Sequence, residues 1–214
     1  MATIYDRFMQ GMERACGDAW RRELVGDLRG DVLEIGAGTG RNLDHYREVK
    51  RLVLAEPDPH MRRRLVEKRE SAAGLSVARE VEIVPWEAEL LACDAASFDA
   101  VVCTLVLCSV RDPAQCLGEI RRVLRPGGKL YFIEHVASED RARLAWQRRT
   151  EPVWKVVAGN CHLCRDTAGS IEAAGFAFDK ITRESARKAL PIVRPTIRGV
   201  ATVTAGRAAG SSLA

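Results

Sequence analysis

The stretch Asp31–Arg41, DVLEIGAGTGR, dictates most of what surrounds it. Val32-Leu33-Glu34-Ile35 reads as a short buried strand that runs straight into Gly36-Ala37-Gly38-Thr39-Gly40, and the segment Arg41–Glu48 reads as a short helix. Strand, glycine turn and helix together aim backbone N–H groups and a helix N-terminus at a ligand. Gly36 and Gly38 accept positive φ and carry no Cβ, so a ligand can lie against the backbone, while Gly40 lets the next segment pack close to the strand. Sixteen residues after Gly40 a second apolar run, Arg51–Ala55, ends in Glu56. An acidic residue at that point is placed to accept hydrogen bonds from two ribose hydroxyls. The glycines run G-x-G-x-G, whereas a dinucleotide site usually spaces them G-x-G-x-x-G. A nicotinamide dehydrogenase is therefore carried only as a competing reading.

With 214 residues, one domain with a full core is expected, and 47% hydrophobic content argues against disorder. The net charge of +4 is mild and the arginines are scattered, so no nucleic-acid footprint is read, although a basic face for an anionic partner is compatible with it. No apolar run reaches the roughly 18 residues that a membrane span needs. The start, MATIYDRFMQ, lacks the layout of a secretory signal, and a cytoplasmic protein is the expectation. The seven cysteines read as free thiols, and Cys161-His162-Leu163-Cys164 lacks the second ligand pair that zinc would require. No metal is expected.

Ile4, Tyr5, Phe8, Met12, Cys16, Ala19, Trp20, Leu24 and Leu28 recur at helical spacing, with Gly11 and Gly17 as weak points. Residues 1–28 are therefore read as a helical cap, packed on the sheet for most of its length, with Tyr5 and Phe8 large enough to fold over a pocket as a lid. Pro57-Asp58-Pro59 opens a charged helix, His60–Ser71; Glu80–Pro85 is a third strand. Ser97–Cys103 is almost wholly apolar, as a central parallel strand should be, and Cys103, Thr104 and Leu105 at its carboxyl end are candidate pocket residues. Asp112-Pro113 starts a helix that stops at Leu124-Arg125-Pro126-Gly127-Gly128, before the strand Lys129–His135. Thr167–Ala174 is a last helix, Phe176–Arg183 and Thr196–Thr204 form a strand pair, and residues 205–214 read as a disordered tail.

VLEIGAGTG, LAEPDP and LRPGG resemble three motifs of the class I S-adenosylmethionine-dependent methyltransferases. From Phe98 onward, FDAVVCTLVLCSVRDPAQCLGEIRRVLRPGGKLYFIEHVAS is similar to the small-thiol methyltransferases, the methyltransferase-like seven family of animals and its bacterial relatives. The likeness continues through Trp146-Gln147, Pro152-Val153-Trp154, Gly159–Asp166 and Val193-Arg194-Pro195. It implies an α/β Rossmann-like class I methyltransferase fold over residues 29–204: a mixed seven-stranded sheet with an antiparallel last strand at its edge and helices on both faces. It implies S-adenosylmethionine as the cofactor. Its cofactor contacts would come from Glu34, Gly36, Ala37, Gly38, Gly40 and Asn42 around the loop, and from Glu56 and Pro57 at the ribose. Trp86, Glu87 and Ala88 would stand at the adenine, with Trp86 either stacking on the ring or capping the core. Cys103, Thr104 and Leu105 would lie under the methionine part. The animal proteins carry an apolar N-terminal anchor; none is read here, so no membrane insertion is carried over.

The resemblance implies a small thiol or sulfide as methyl acceptor. Methyl transfer needs two reactants held in line. A thiol with a pKa near 8.5 needs only a weak base, and a dry pocket suits a reaction in which charge is lost. His135, His162 and Arg165 are the candidate catalytic residues, the histidines as bases and Arg165 as a partner for a thiolate or another anion. Each also has a structural reading: His135 bonding a neighbouring loop, and Arg165 pairing with Asp166 or another carboxylate. O-, C- or N-methylation of a phenol, quinone or lipid amine is the competing activity, and a non-catalytic S-adenosylmethionine-binding protein is the competing class. The oligomeric state is not legible.

Overall fold

The computed structural model describes residues 11–71 and 78–204. A π-helical turn, Glu13–Gly17, runs into helix α1, Asp18–Val25. Then come strands β1 (Asp31–Ile35) and β2 (Val49–Ala55), helix α2 (Pro59–Ser71), and strands β3 (Ala78–Val84) and β4 (Phe98–Thr104). Helix α3 (Pro113–Val123), strand β5 (Leu124–His135) and helices α4 (Arg141–Val157) and α5 (Thr167–Ala173) follow. Strand β6 (Phe176–Ser185), a 3-10 turn (Pro191–Val193) and strand β7 (Pro195–Val203) complete the described chain.

The seven strands form one sheet in the order β3-β2-β1-β4-β5-β7-β6. The first five are parallel, and β7 runs antiparallel to both β5 and β6. The mixed sheet and its antiparallel last strand match expectation, with one correction. The edge is β6, because β7 inserts between it and β5. That insertion buries Ile197 and Ala201 against the core, while much of β6 stays exposed. Strand order reverses between β1 and β4, which opens a crevice beyond their carboxyl ends where ligands of such sheets bind.

All five residues of β1 are buried, because helices cover both faces. Leu33, Ile35, Phe98, Val101, Phe132, Leu117 and Ile171 fill one face. On the other, Met12, Cys16, Trp20 and Leu24 pack with Val32, Leu52, Leu54, Leu65 and Val102. Residues 12–28 are thus an integral face of the core. Arg198 of β7 pins this segment further: its guanidinium lies 5.9 Å from the Trp20 ring centroid and 2.7 Å from Glu23 Oε2. Tyr5, Phe8 and the tail 205–214 lie outside the described residues.

Asp112 caps α3, accepting from the N–H groups of Ala114 and Gln115 with Pro113 at the first position, as the sequence indicates. Asp166 does the same for α5 through Gly169. The expected helix at Arg41–Glu48 is absent. The chain makes i-to-i+3 turns there, Leu43 N to Gly40 O at 3.2 Å and His45 N to Asn42 O at 2.9 Å. Such turns drive Asn42, Leu43 and Tyr46 into the interior, where a regular helix would spread them around its axis.

Candidate active site

The glycine loop leaves β1 in left-handed conformations: φ is +63° at Gly36, +58° at Gly38 and +82° at Gly40. A Cβ at Gly36 would stand 2.6 Å from Val106 Cγ2, and one at Gly40 2.8 Å from Leu65 Cδ1. At Gly38 a Cβ would meet only the Gly36 carbonyl, at 4.0 Å, so this side of the loop is open. Gly36→Ala is expected to cost about 1–3 kcal/mol of stability, from strain at positive φ plus overlap with Val106, as read by urea denaturation.

Glu56 leaves the end of β2 toward this loop. Its Oε2 accepts from Gly38 N at 2.7 Å and its Oε1 from Asp58 N at 2.9 Å. Burial raises the carboxyl's pKa, while the two N–H groups pull it down. Pro57 is exposed beside it, Ala37 and Ala88 are buried, and Glu87 is exposed and bridges to Leu90. Trp86 is half-buried against the core, which favours the capping reading of this side chain.

Beneath the loop lies a buried polar network that sequence reasoning missed in part. Glu34 accepts from Asn42 Nδ2 at 2.9 Å and from the Tyr46 hydroxyl at 2.8 Å. Arg21 donates to Asn42 Oδ1 at 2.9 Å, to Thr104 Oγ1 at 3.0 Å and, through two nitrogens, to Glu13. Burial lifts the Glu34 carboxyl to about 7 despite these donors. Glu34 and Asn42, expected among the cofactor contacts, are both members of this network. Both lie inside the protein with their polar atoms engaged, and they brace the loop from below. Cys103 is fully buried in the core, where desolvation drives its thiol pKa far up. Thr104 joins the network, and only Leu105, at φ +62°, reaches a pocket.

That pocket opens at the carboxyl ends of β4 and β5, under the N-terminal helix. Met12, Gly17, Trp20, Leu105, Ile133 and Ala186 form its apolar walls, with Glu13, Arg21, His135 and Thr196 as polar members. His135 is 6% exposed, and its Nδ1 has no hydrogen-bond partner among the described residues. Burial lowers its pKa from 6.5 to about 4, against a hydrogen bond to the Val193 backbone. Next to it, Glu134 is fully buried and turns the other way. It accepts from Val106 N and Leu107 N at 2.9 Å and from Cys108 N at 3.1 Å, fixing the turn after β4.

The other two catalytic candidates are placed differently. His162 faces Glu151 at 3.5 Å, and desolvation and nearby Arg165 lower its pKa. Arg165 donates to the carbonyls of Leu107 and Val110. It clasps the turn after β4 through carbonyls, not through the carboxylate that sequence reasoning suggested as a structural partner. Neither residue lines the pocket that His135 lines.

A methyltransferase-domain family model matches residues 33–132. Thiol S-methyltransferase TMT1B of Rattus norvegicus is 38% identical over 186 residues, which cover 83% of this chain and 73% of that protein. Human thiol S-methyltransferase TMT1A is 36% identical over 190 residues, covering 85% and 77%. The chain belongs to the thiol S-methyltransferase family. The crystal structure of a SAM-dependent methyltransferase from Thermotoga maritima, a possible histamine N-methyltransferase, shares the fold. Its TM-score is 0.61 at 23% identity, covering 93% of this chain and 92% of that one. The protein is an S-adenosylmethionine-dependent methyltransferase with the class I Rossmann-like fold that its strand order displays. The family's donor fits the crevice: Gly38 leaves room where any other residue would place a side chain, and a carboxylate stands beside it. Among the described residues no helix is long and apolar enough to cross a membrane, and no cluster suited to a metal ion occurs.

Proposed function

We propose that the acceptor is a small thiol, that it enters the water-sized cavity of about 10 Å³ under the N-terminal helix by displacing the side chains that line it, and that His135 takes its proton. S-Adenosylmethionine would be held by the glycine loop and by Glu56 at the ribose, and it supplies an electrophilic methyl on a positively charged sulfur. The observation that carries the reading is His135 itself, which lines a pocket of mainly apolar walls and whose buried Nδ1 has no hydrogen-bond partner among the described residues. A buried acceptor atom left empty costs stability, so a ligand that donates a hydrogen bond there is favoured. The names of the curated relatives support a thiol as that donor.

With the ring proton on the other nitrogen, toward the Val193 backbone, Nδ1 would keep a lone pair. A lone pair accepts from a neutral S–H and repels a thiolate. As the new carbon–sulfur bond forms, the thiol proton passes to Nδ1. One positive charge is present in the site before and after, so the apolar walls do not penalise the step. Trp20, Met12 and Leu105 are the apolar side chains nearest to hand for such a step.

A panel of small thiols, phenols and amines with isotopically labelled donor, read by mass spectrometry, tests the acceptor. Labelled S-methyl products are expected; label confined to phenols or amines would reject the thiol reading. The pH profile tests the base. With His135 held neutral down to about 4 and a thiol pKa near 8.5, kcat/KM should be flat between roughly pH 5.5 and 7.5. His135→Ala should lower it by about 10²–10⁴-fold and convert the plateau to a tenfold rise per pH unit, because only preformed thiolate then reacts. A wild-type profile that already rises tenfold per unit would remove His135 as the base.

A further inference from the structure

Cys108 and Cys161 lie 53 residues apart in sequence, yet their sulfurs are 3.8 Å apart. Both thiols are buried, at 1% and 6% exposure. Cys108 belongs to the turn after β4 that Glu134 holds. Cys161 belongs to the loop joining α4 to α5. The two segments are already clamped on either side of the sulfurs: His162 N donates to Cys108 O at 2.8 Å, and Asn160 Nδ2 to Ser109 O at 2.8 Å. Arg165 adds its bonds to the Leu107 and Val110 carbonyls. Closing the sulfurs to a disulfide at about 2.05 Å therefore asks for side-chain rotation between two backbones already held together.

We propose that Cys108 and Cys161 are an oxidation site, which a hydroperoxide converts to an intramolecular disulfide tying the α4–α5 loop to the turn after β4. Cys161 is the attacking sulfur. Its pairing with Cys108, hydrogen bonding from Trp154 and the nearby Arg165 lower its pKa, while the same pairing pushes Cys108 the other way. The Cys161 thiolate attacks one oxygen of hydrogen peroxide, and the O–O bond breaks. The departing oxygen leaves as water after taking up a proton, and Cys161 becomes a sulfenic acid. The Cys108 sulfur then displaces that hydroxyl: the S–S bond forms, the S–O bond breaks, and a second water leaves with the Cys108 proton. Two thiols lose two electrons and two protons in all, and one peroxide becomes two waters. The bond fixes the turn whose first residue, Leu105, lines the pocket. None of the other five cysteines hydrogen-bonds another sulfur among the described residues, although Cys116 lies near enough to Cys103 to raise its thiol pKa.

The test uses the full chain treated with stoichiometric hydrogen peroxide, then denatured, alkylated and digested without reductant for mass spectrometry. The expected map shows one cross-linked pair of peptides carrying Cys108 and Cys161, two alkylatable thiols lost, and both restored by dithiothreitol. In Cys108→Ser the cross-link should vanish and Cys161 should be trapped as a sulfenic acid by a dione reagent. The proposal is overturned if both cysteines remain alkylatable while the more exposed Cys93 or Cys164 is oxidised. It is also overturned if Cys161 advances to sulfinic acid without linking. The wild-type map decides the matter even if the serine variant does not fold, and it does not depend on which acceptor is methylated.

Discussion

Glu134→Ala is expected to cost the fold about 3–5 kcal/mol, read as a fall in the urea midpoint at unchanged slope. The carboxylate serves three backbone N–H groups, those of Val106, Leu107 and Cys108, and is wholly buried. Removing it leaves three backbone donors unpaired, two of them buried and that of Val106 partly so, at about 1–3 kcal/mol for each buried one before water enters to relieve them. Glu134→Gln separates charge from shape. The amide oxygen can still serve Val106 and Leu107, but the amide nitrogen then points a donor at the Cys108 N–H, so a loss of about 1–2 kcal/mol is expected. The same variant should raise the KM of the acceptor and weaken donor binding together, since the turn it supports carries Leu105 into the pocket and packs Val106 against Gly36 of the glycine loop. A Gln variant as stable as wild type, with unchanged KM, would show that the turn holds itself.

The residues that were legible in the sequence are those whose job is local. Gly36, Gly38 and Gly40 follow one strand and Glu56 closes the next, so the crevice can be drawn from spacing alone. Asp112 with Pro113, and Asp166, announce helix starts through chemistry confined to one turn. What failed depends on partners distant in sequence. Asn42 lies in turns because Arg21, Glu34 and Thr104 hold its amide inside, and no periodicity in residues 41–48 reports that. Arg21 and Glu13 belong to no motif; eight residues apart, they meet across the π-helical turn Glu13–Gly17, which the apolar spacing does not announce. The placement of β7 inside the sheet, with β6 at the edge, is likewise invisible to local pattern, since both segments read as strands.

Replacing Glu56 by alanine should weaken S-adenosylmethionine binding by about 30-fold to 1000-fold in titration calorimetry, without a comparable loss of kcat at saturating donor. The range corresponds to about 2–4 kcal/mol for a charge-assisted contact to two hydroxyls in a partly desolvated site. The carboxylate's present partners make the loss specific. Gly38 N at 2.7 Å and Asp58 N at 2.9 Å hold the two oxygens apart, each with acceptor capacity to spare for one hydroxyl. The ribose is common to donor and product, so S-adenosylhomocysteine should lose the same factor. That equality marks binding which does not change on the way to the transition state. Glu56→Gln should fall between, because one oxygen survives and the other becomes a donor facing an N–H. A melting scan of the free variants guards against loosening of the loop itself. If the alanine variant melts with wild type yet binds both nucleosides undiminished, the ribose lies elsewhere, and the crevice between β1 and β4 must be reassigned.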